Sequence, residues 1–117
     1  MNFIVRKSGG FSCVKVVKER LDSFIAPELK AKLVMLSSSQ ERNIIVNLEE
    51  CMYCDSSGLS ALLVGKRLCE DADGTFVICS LSDNVEKLIK LAMLDTILVI
   101  AANFEEAEKL LIMKSQL

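Results

Sequence analysis

The sequence contains no histidine and no tryptophan, and only one proline and one tyrosine. Without histidine there is no Ser-His or Cys-His nucleophile system, and the commonest metal ligand is missing too. Positive charge is not in excess: 14 Lys and Arg face 16 Asp and Glu, a net charge of −2. No basic stripe runs along the chain, so nothing in it invites nucleic acid. No apolar run reaches the ~18 residues that suggest a membrane span, and no insertion is expected. The opening MNFIVRKSGGF lacks the apolar core and cleavage site of a secretory signal. The cytoplasm is therefore the expected compartment. No P-loop or GxGxxG is present.

What the chain does have is apolar content, 51% of its 117 residues. That suits one folded domain, 1–117, which can bury roughly two-thirds of its unfolded surface. Five cysteines (13, 51, 54, 69 and 79) make an odd number, and three sit inside apolar periodic segments. They read as small core residues rather than a disulfide frame.

Taken in order, Phe3 to Lys7 and Phe11 to Lys18 read as strands joined by Ser8-Gly9-Gly10, a hairpin. Arg20 to Ala26 reads as a connection, and Pro27 suits the first position of a helix. Leu29, Leu33 and Leu36 give that helix one apolar face, and Ser37-Ser38-Ser39 ends it. Ile44-Ile45-Val46 with Leu48 reads as a strand covered on both faces. A helix spans Ser56 to Ala72 and stops near Asp73-Gly74. Thr75 to Leu81 is a second buried strand. Ser82 caps a helix with Val85, Leu88, Ile89 and Ala92 on one face. Thr96 to Ala101 is the last strand. Asn103 and Glu106 resemble a capping box, opening a helix with Ala107, Leu110 and Leu111 inward. The order ββαβαβαβα predicts an α/β fold with about four helices. Its mixed sheet has an N-terminal hairpin followed by right-handed parallel βαβ units.

The most specific stretch is Asp55-Ser56-Ser57-Gly58-Leu59. It places a carboxylate and two hydroxyls at a helix mouth, where backbone N–H groups lack intrahelical partners. Such a side chain can cap the helix, face a partner protein, or carry a phosphate. At ~100° per residue, Gly58, Ala61, Leu62, Gly65, Leu68, Cys69 and Ala72 share one face. The two glycines cost about 1 kcal/mol each relative to alanine, which close packing against the sheet would offset. Leu59 and Leu63 fall opposite, beside Lys66 and Glu70. They are either a docking surface or a face covered by a neighbouring helix or loop.

Cys51-Met52-Tyr53-Cys54 is a CxxC before a helix, the position of a thioredoxin-type redox pair. The only proline lies upstream and no tryptophan flanks the pair, so free thiols are the expected state. One CxxC without histidine leaves a zinc shell half empty. No metal and no cofactor are expected. Asp55 and Ser56 have no base partner in sequence that would make a nucleophile, so no catalytic residue is assigned.

The run YCDSSGLSALLVGKRLCEDADGTFVICSLSDNVEKLI resembles the STAS family, the sulfate transporter and anti-sigma-factor antagonist domains. LDSFIAPEL (Leu21 to Leu29) and Glu105-Glu106-Ala107 match it as well. The resemblance spans about Phe11 to Leu111 and is strongest to the small bacterial anti-sigma-factor antagonists. It implies a protein that is not an enzyme. Such proteins bind an anti-sigma factor, itself an ATP-dependent serine kinase, and so free a sigma factor. The kinase modifies the hydroxyl directly after the motif aspartate, here Ser56, and a metal-dependent serine phosphatase reverses this. The resemblance places Asp55 and Ser57 beside the acceptor and Asp22 on the same surface, with Leu59 and Leu63 completing the expected partner-binding set. Other members are unphosphorylated scaffold subunits of lipid-transport ATPases or sensory complexes. Two departures stand out. Glu19 and Arg20 occupy the place where a glycine is common before the LD motif, and Met93 stands where a small residue or glycine is usual.

Overall fold

Gly9 and Gly10 alone separate the first two strands in the computed structural model, which describes residues 1–115. β1 (Phe3–Ser8) pairs antiparallel with β2 (Phe11–Val16), Ser8 opposite Phe11. Gly10 takes φ +97°, which only glycine adopts without strain. β2 stops short of the expected Lys18. The chain there leaves the main sheet for a two-residue strand, β3 (Arg20–Leu21), inside what the sequence presents as a plain connection. Two residues carry no readable period.

Helix α1 (Ala26–Ser38) starts one residue before Pro27 and buries Ala26, Leu29, Leu33 and Leu36. Pro27 costs little in the first turn, where N–H groups have no intrahelical acceptor. β4 (Ile44–Asn47), β6 (Phe76–Cys79) and β7 (Val99–Ala101) continue the sheet. Strand order is β1-β2-β4-β6-β7, with every pairing after the hairpin parallel. The expected mixed α/β sheet with its N-terminal hairpin is therefore the observed one, and α1 is joined by three more helices: α2 (Ser56–Asp71), α3 (Asp83–Leu91) and α4 (Phe104–Ser115). A second short strand, β5 (Tyr53–Cys54), precedes α2 and pairs with β3 outside the main sheet.

The central strands are buried on both faces. Ile44, Val46, Phe76 and Ile78 point into a large cluster with Leu29, Leu33, Leu62, Val85 and Ile89. Ile45, Val77 and Cys79 point the other way, toward Ala107 and Leu111 of α4. Three helices thus cover one face and one covers the other. Gly65 explains how α2 lies so near the sheet: a Cβ there would overlap the Phe76 ring.

Several boundaries shift at element ends. Ala72 and Ala92 are exposed residues that follow α2 and α3, not members of the packed faces, and Leu68 is half-buried. Met93 takes a left-handed φ of 59° and leads into a 3₁₀ turn over Leu94–Thr96. Thr96 Oγ1 donates to the Met93 carbonyl at 2.8 Å, closing that turn. The last strand accordingly begins at Val99, not Thr96. Left-handed geometry is where glycine fits best, which accounts for the small residue usual at this place.

Candidate functional site

β3 and β5 run parallel, with Arg20 opposite Tyr53 and Leu21 opposite Cys54. The next residues on the two strands are Asp22 and Asp55, so the ladder delivers both carboxylates in step at the mouth of α2. Backbone bonds hold the register: Met52 and Tyr53 N–H donate to the Glu19 carbonyl at 2.7 and 3.0 Å, and Asp55 N–H to that of Leu21 at 3.3 Å. The Arg20 guanidinium sits 4.4 Å from the Tyr53 ring centroid, a cation–π contact. Glu19 and Arg20, where a glycine is usual, leave this ladder intact.

Asp55 has extended backbone angles, and its carboxylate accepts the Gly58 N–H at 3.0 Å. That is the N-cap arrangement, in which one orphan donor of the helix start is satisfied. Ser56 is the first helical residue. It is exposed, and its hydroxyl makes no hydrogen bond within the described residues. Ser57 is half-buried. The two roles left open by the sequence are thereby divided: the carboxylate caps and the next hydroxyl faces solvent.

Asp22 is half-buried and locally bound. One oxygen accepts the Phe24 N–H at 3.0 Å; the other lies 3.7 Å from Arg20 Nε. Its carbonyl accepts from Ile25 and Ala26 at 3.2 and 2.8 Å, starting α1 without a side-chain cap. Gly58 lets the loop and the helix meet. A Cβ there would overlap the Leu21 carbonyl and stand 2.6 Å from Cys54 Sγ.

Leu59 and Leu63 do not stand free. Both are half-buried and packed on the large core, and α1 lies alongside α2. Of the two readings that the sequence leaves open for this pair, a face partly covered by its surroundings is the one the packing fits. Two more exposed apolar residues flank the site: Phe24, 89% exposed, and Met52, 52% exposed. Phe24 escaped the sequence reading because a short loop offers no periodicity to set an outward residue apart. Its one signal is a large apolar residue directly after Asp22-Ser23.

The CxxC points inward. Cys51 and Cys54 are fully buried, and Cys51 Sγ donates to the Tyr53 carbonyl at 3.2 Å. Burial raises both thiol pKa values, that of Cys54 to about 12. A thiol held protonated in this way is a poor nucleophile. Among the described residues no three His, Cys, Asp or Glu cluster as a metal site, and no helix is long and apolar enough to cross a membrane.

A family model of the STAS domain matches residues 2–107. The anti-sigma-B factor antagonist of Staphylococcus aureus is 33% identical over 78 residues, covering 67% of this chain and 71% of the relative. A Mycobacterium paratuberculosis protein solved as an anti-sigma factor antagonist superposes with TM-score 0.84 at 19% identity, over 94% of this chain and 92% of its own. The Bacillus cell fate determinant SpoIIAA, in its phosphorylated form, gives TM-score 0.72 at 20% identity, over 92% and 98%. The motif, the topology and the sequence match agree, and the chain belongs to the STAS domain family.

Proposed function

We propose that this protein is a cytoplasmic anti-sigma-factor antagonist switched by phosphorylation of Ser56. In its unmodified form it binds an anti-sigma factor that is also an ATP-dependent serine kinase, and so releases a sigma factor. Phosphorylation ends that binding, and a serine phosphatase restores it. Asp22, Asp55, Ser56 and Ser57 form the contact surface, with the outer edges of Leu59 and Leu63 at its margin. The chain itself catalyses nothing; among the described residues the Ser56 hydroxyl has no hydrogen-bonded base to make it a nucleophile.

One observation carries the reading: Ser56 is exposed at the first helical position while its neighbour Asp55 does the capping. A phosphate there adds about −1.5 to −2 charge. The helix N-terminus tolerates it, and the cap is not lost. The fold should therefore survive modification, and the effect falls on the interface. A kinase must align the acceptor hydroxyl with the terminal phosphate of ATP. Once Ser56 carries a phosphate, it meets the nucleotide's own phosphates, and like charges at such range repel.

The test is incubation with a purified anti-sigma factor kinase and ATP, read by peptide mass spectrometry and by binding. The expected result is one phosphate on Ser56, loss of binding, and a melting curve close to that of the unmodified protein. Phosphate on another residue ends the Ser56 assignment. Stable association with a transporter ATPase and no phosphorylation would instead make the chain an unswitched scaffold.

A further inference from the structure

The loop between β3 and α1 carries an aromatic side chain that the fold does not use. Phe24 is 89% exposed while Leu21 and Ala26, on either side, are buried. Leaving so much apolar surface in water is unfavourable unless something covers it. The loop is nevertheless fixed: Asp22 takes the Phe24 N–H on its side chain and the Ile25 and Ala26 N–H groups on its carbonyl. The same loop presses on the first turn of α2, since the Leu21 carbonyl fills the space where a Gly58 Cβ would stand. Phe24 is therefore held on a loop that abuts the first turn of α2, the turn that Ser56 opens. Lys18, Glu19, Arg20 and Asp22 lie around it and Asp55 is bonded to the same loop, so acidic groups outnumber basic ones, and Arg20 is already engaged by Asp22 and the Tyr53 ring.

We propose that Phe24 is the apolar anchor by which this surface grips the anti-sigma factor kinase. It would seat in an apolar pocket of that protein, with cationic side chains at the rim opposite Glu19 and Asp22. The inference rests on the reading of Ser56 given above. The two residues divide the work: Ser56 enters the nucleotide end of the partner and decides whether the complex persists, while Phe24 supplies grip. Buried aromatic anchors dominate interface energetics, and complementary charge speeds and orients encounter.

The test uses the full chain and the purified anti-sigma factor kinase of the same organism, with ADP and Mg²⁺, in titration calorimetry. Phe24→Ala is expected to bind about 30-fold more weakly or worse, the range of a hot-spot truncation. Its melting temperature should match wild type, because an exposed side chain contributes little to the fold. In phosphorylation assays KM should rise with kcat unchanged, since Phe24 touches no reacting atom. Met35→Ala, an exposed apolar residue on α1, is the control and should bind as wild type does. Raising salt should weaken wild type and Phe24→Ala by the same factor. If Phe24→Ala binds within about threefold of wild type while Ser56 is still phosphorylated, the anchor is wrong and the switch stands. If wild type neither binds the kinase nor is phosphorylated by it, both fall.

Discussion

Gly58→Ala sets two physical effects against each other, and the structure says which wins. In an exposed helix interior the change would stabilise by about 1 kcal/mol, the propensity difference between the two residues. Here the new methyl would overlap the Leu21 carbonyl oxygen and lie 2.6 Å from Cys54 Sγ and 2.9 Å from Leu21 Cγ. The carbonyl belongs to the β3–β5 ladder and the sulfur to a fully buried side chain, so neither swings aside. Overpacking of this kind costs typically 1–3 kcal/mol. With a clash on three sides the upper part of that range applies, and a net loss of about 1–2 kcal/mol remains after the propensity gain. In a domain of this size that is a fall of roughly 4–10 °C in melting temperature. Thermal unfolding followed by circular dichroism reads it directly. Ser60→Ala, at an exposed position in the same helix, isolates propensity and should melt slightly above wild type. Because the clash lies two residues from Ser56, in the same first turn, Gly58→Ala should also slow the proposed phosphorylation. A Gly58→Ala protein that melts above wild type would show that α2 does not lie tight against β3, and the account of the site would fail with it.

At pH 8 an aromatic disulfide reagent should leave Cys51 and Cys54 untouched in the native protein and react with them only on unfolding; rapid modification of either would contradict their burial. Because burial raises the Cys54 thiol from 9.0 to about 12, the folded state holds that proton more tightly. Its contribution to stability is intact below about pH 9 and declines as pH rises toward 12. Met93→Gly should stabilise by up to about 1 kcal/mol, since it relieves a left-handed φ and gives up only an exposed side chain; urea midpoints measure it, and a lower midpoint would refute the strain.

The sheet was legible because its strands carry the right period. Ile44 to Val46 and Phe76 to Cys79 are continuous apolar runs, and that is how strands with helices on both sides must read. The capping signals at Ser82 and Asn103 were legible too; the first accepts Val85 N–H at 3.2 Å and the second Glu106 N–H at 2.8 Å. What escaped was short or depended on distant contacts. β3 and β5 have two residues each, and their pairing is non-local. The 3₁₀ turn at Leu94 follows from a left-handed residue that its side chain does not announce. Leu59 and Leu63 look outward on a helical wheel, which leaves open whether a neighbour covers them; the fold packs both against the core. Of the site, Asp55 and Ser56 were visible in the motif alone. The nearness of Asp22 came from family resemblance, and only the β3–β5 register supplies its physical reason.

The order of Asp55 and Ser56 matters as much as their identity. A residue at the N-cap must turn its side chain back over the helix end to reach the N–H three residues on. At the next position the backbone is already helical, and the Ser56 hydroxyl is exposed without a bond to the helix end among the described residues. A hydroxyl at position 55 would be drawn into the cap, and adding a phosphate to it would disturb the start of α2. With the carboxylate capping and the hydroxyl following, the group that stabilises the helix and the group open to chemistry are separate atoms on separate residues. Gly58 extends the same logic, since its absent side chain lets β3 bring Asp22 alongside without lifting the helix. Under the proposed function, a phosphate on Ser56 would change the charge of a surface while leaving the core beneath it undisturbed, and the partner, not the chain, would have to read the difference.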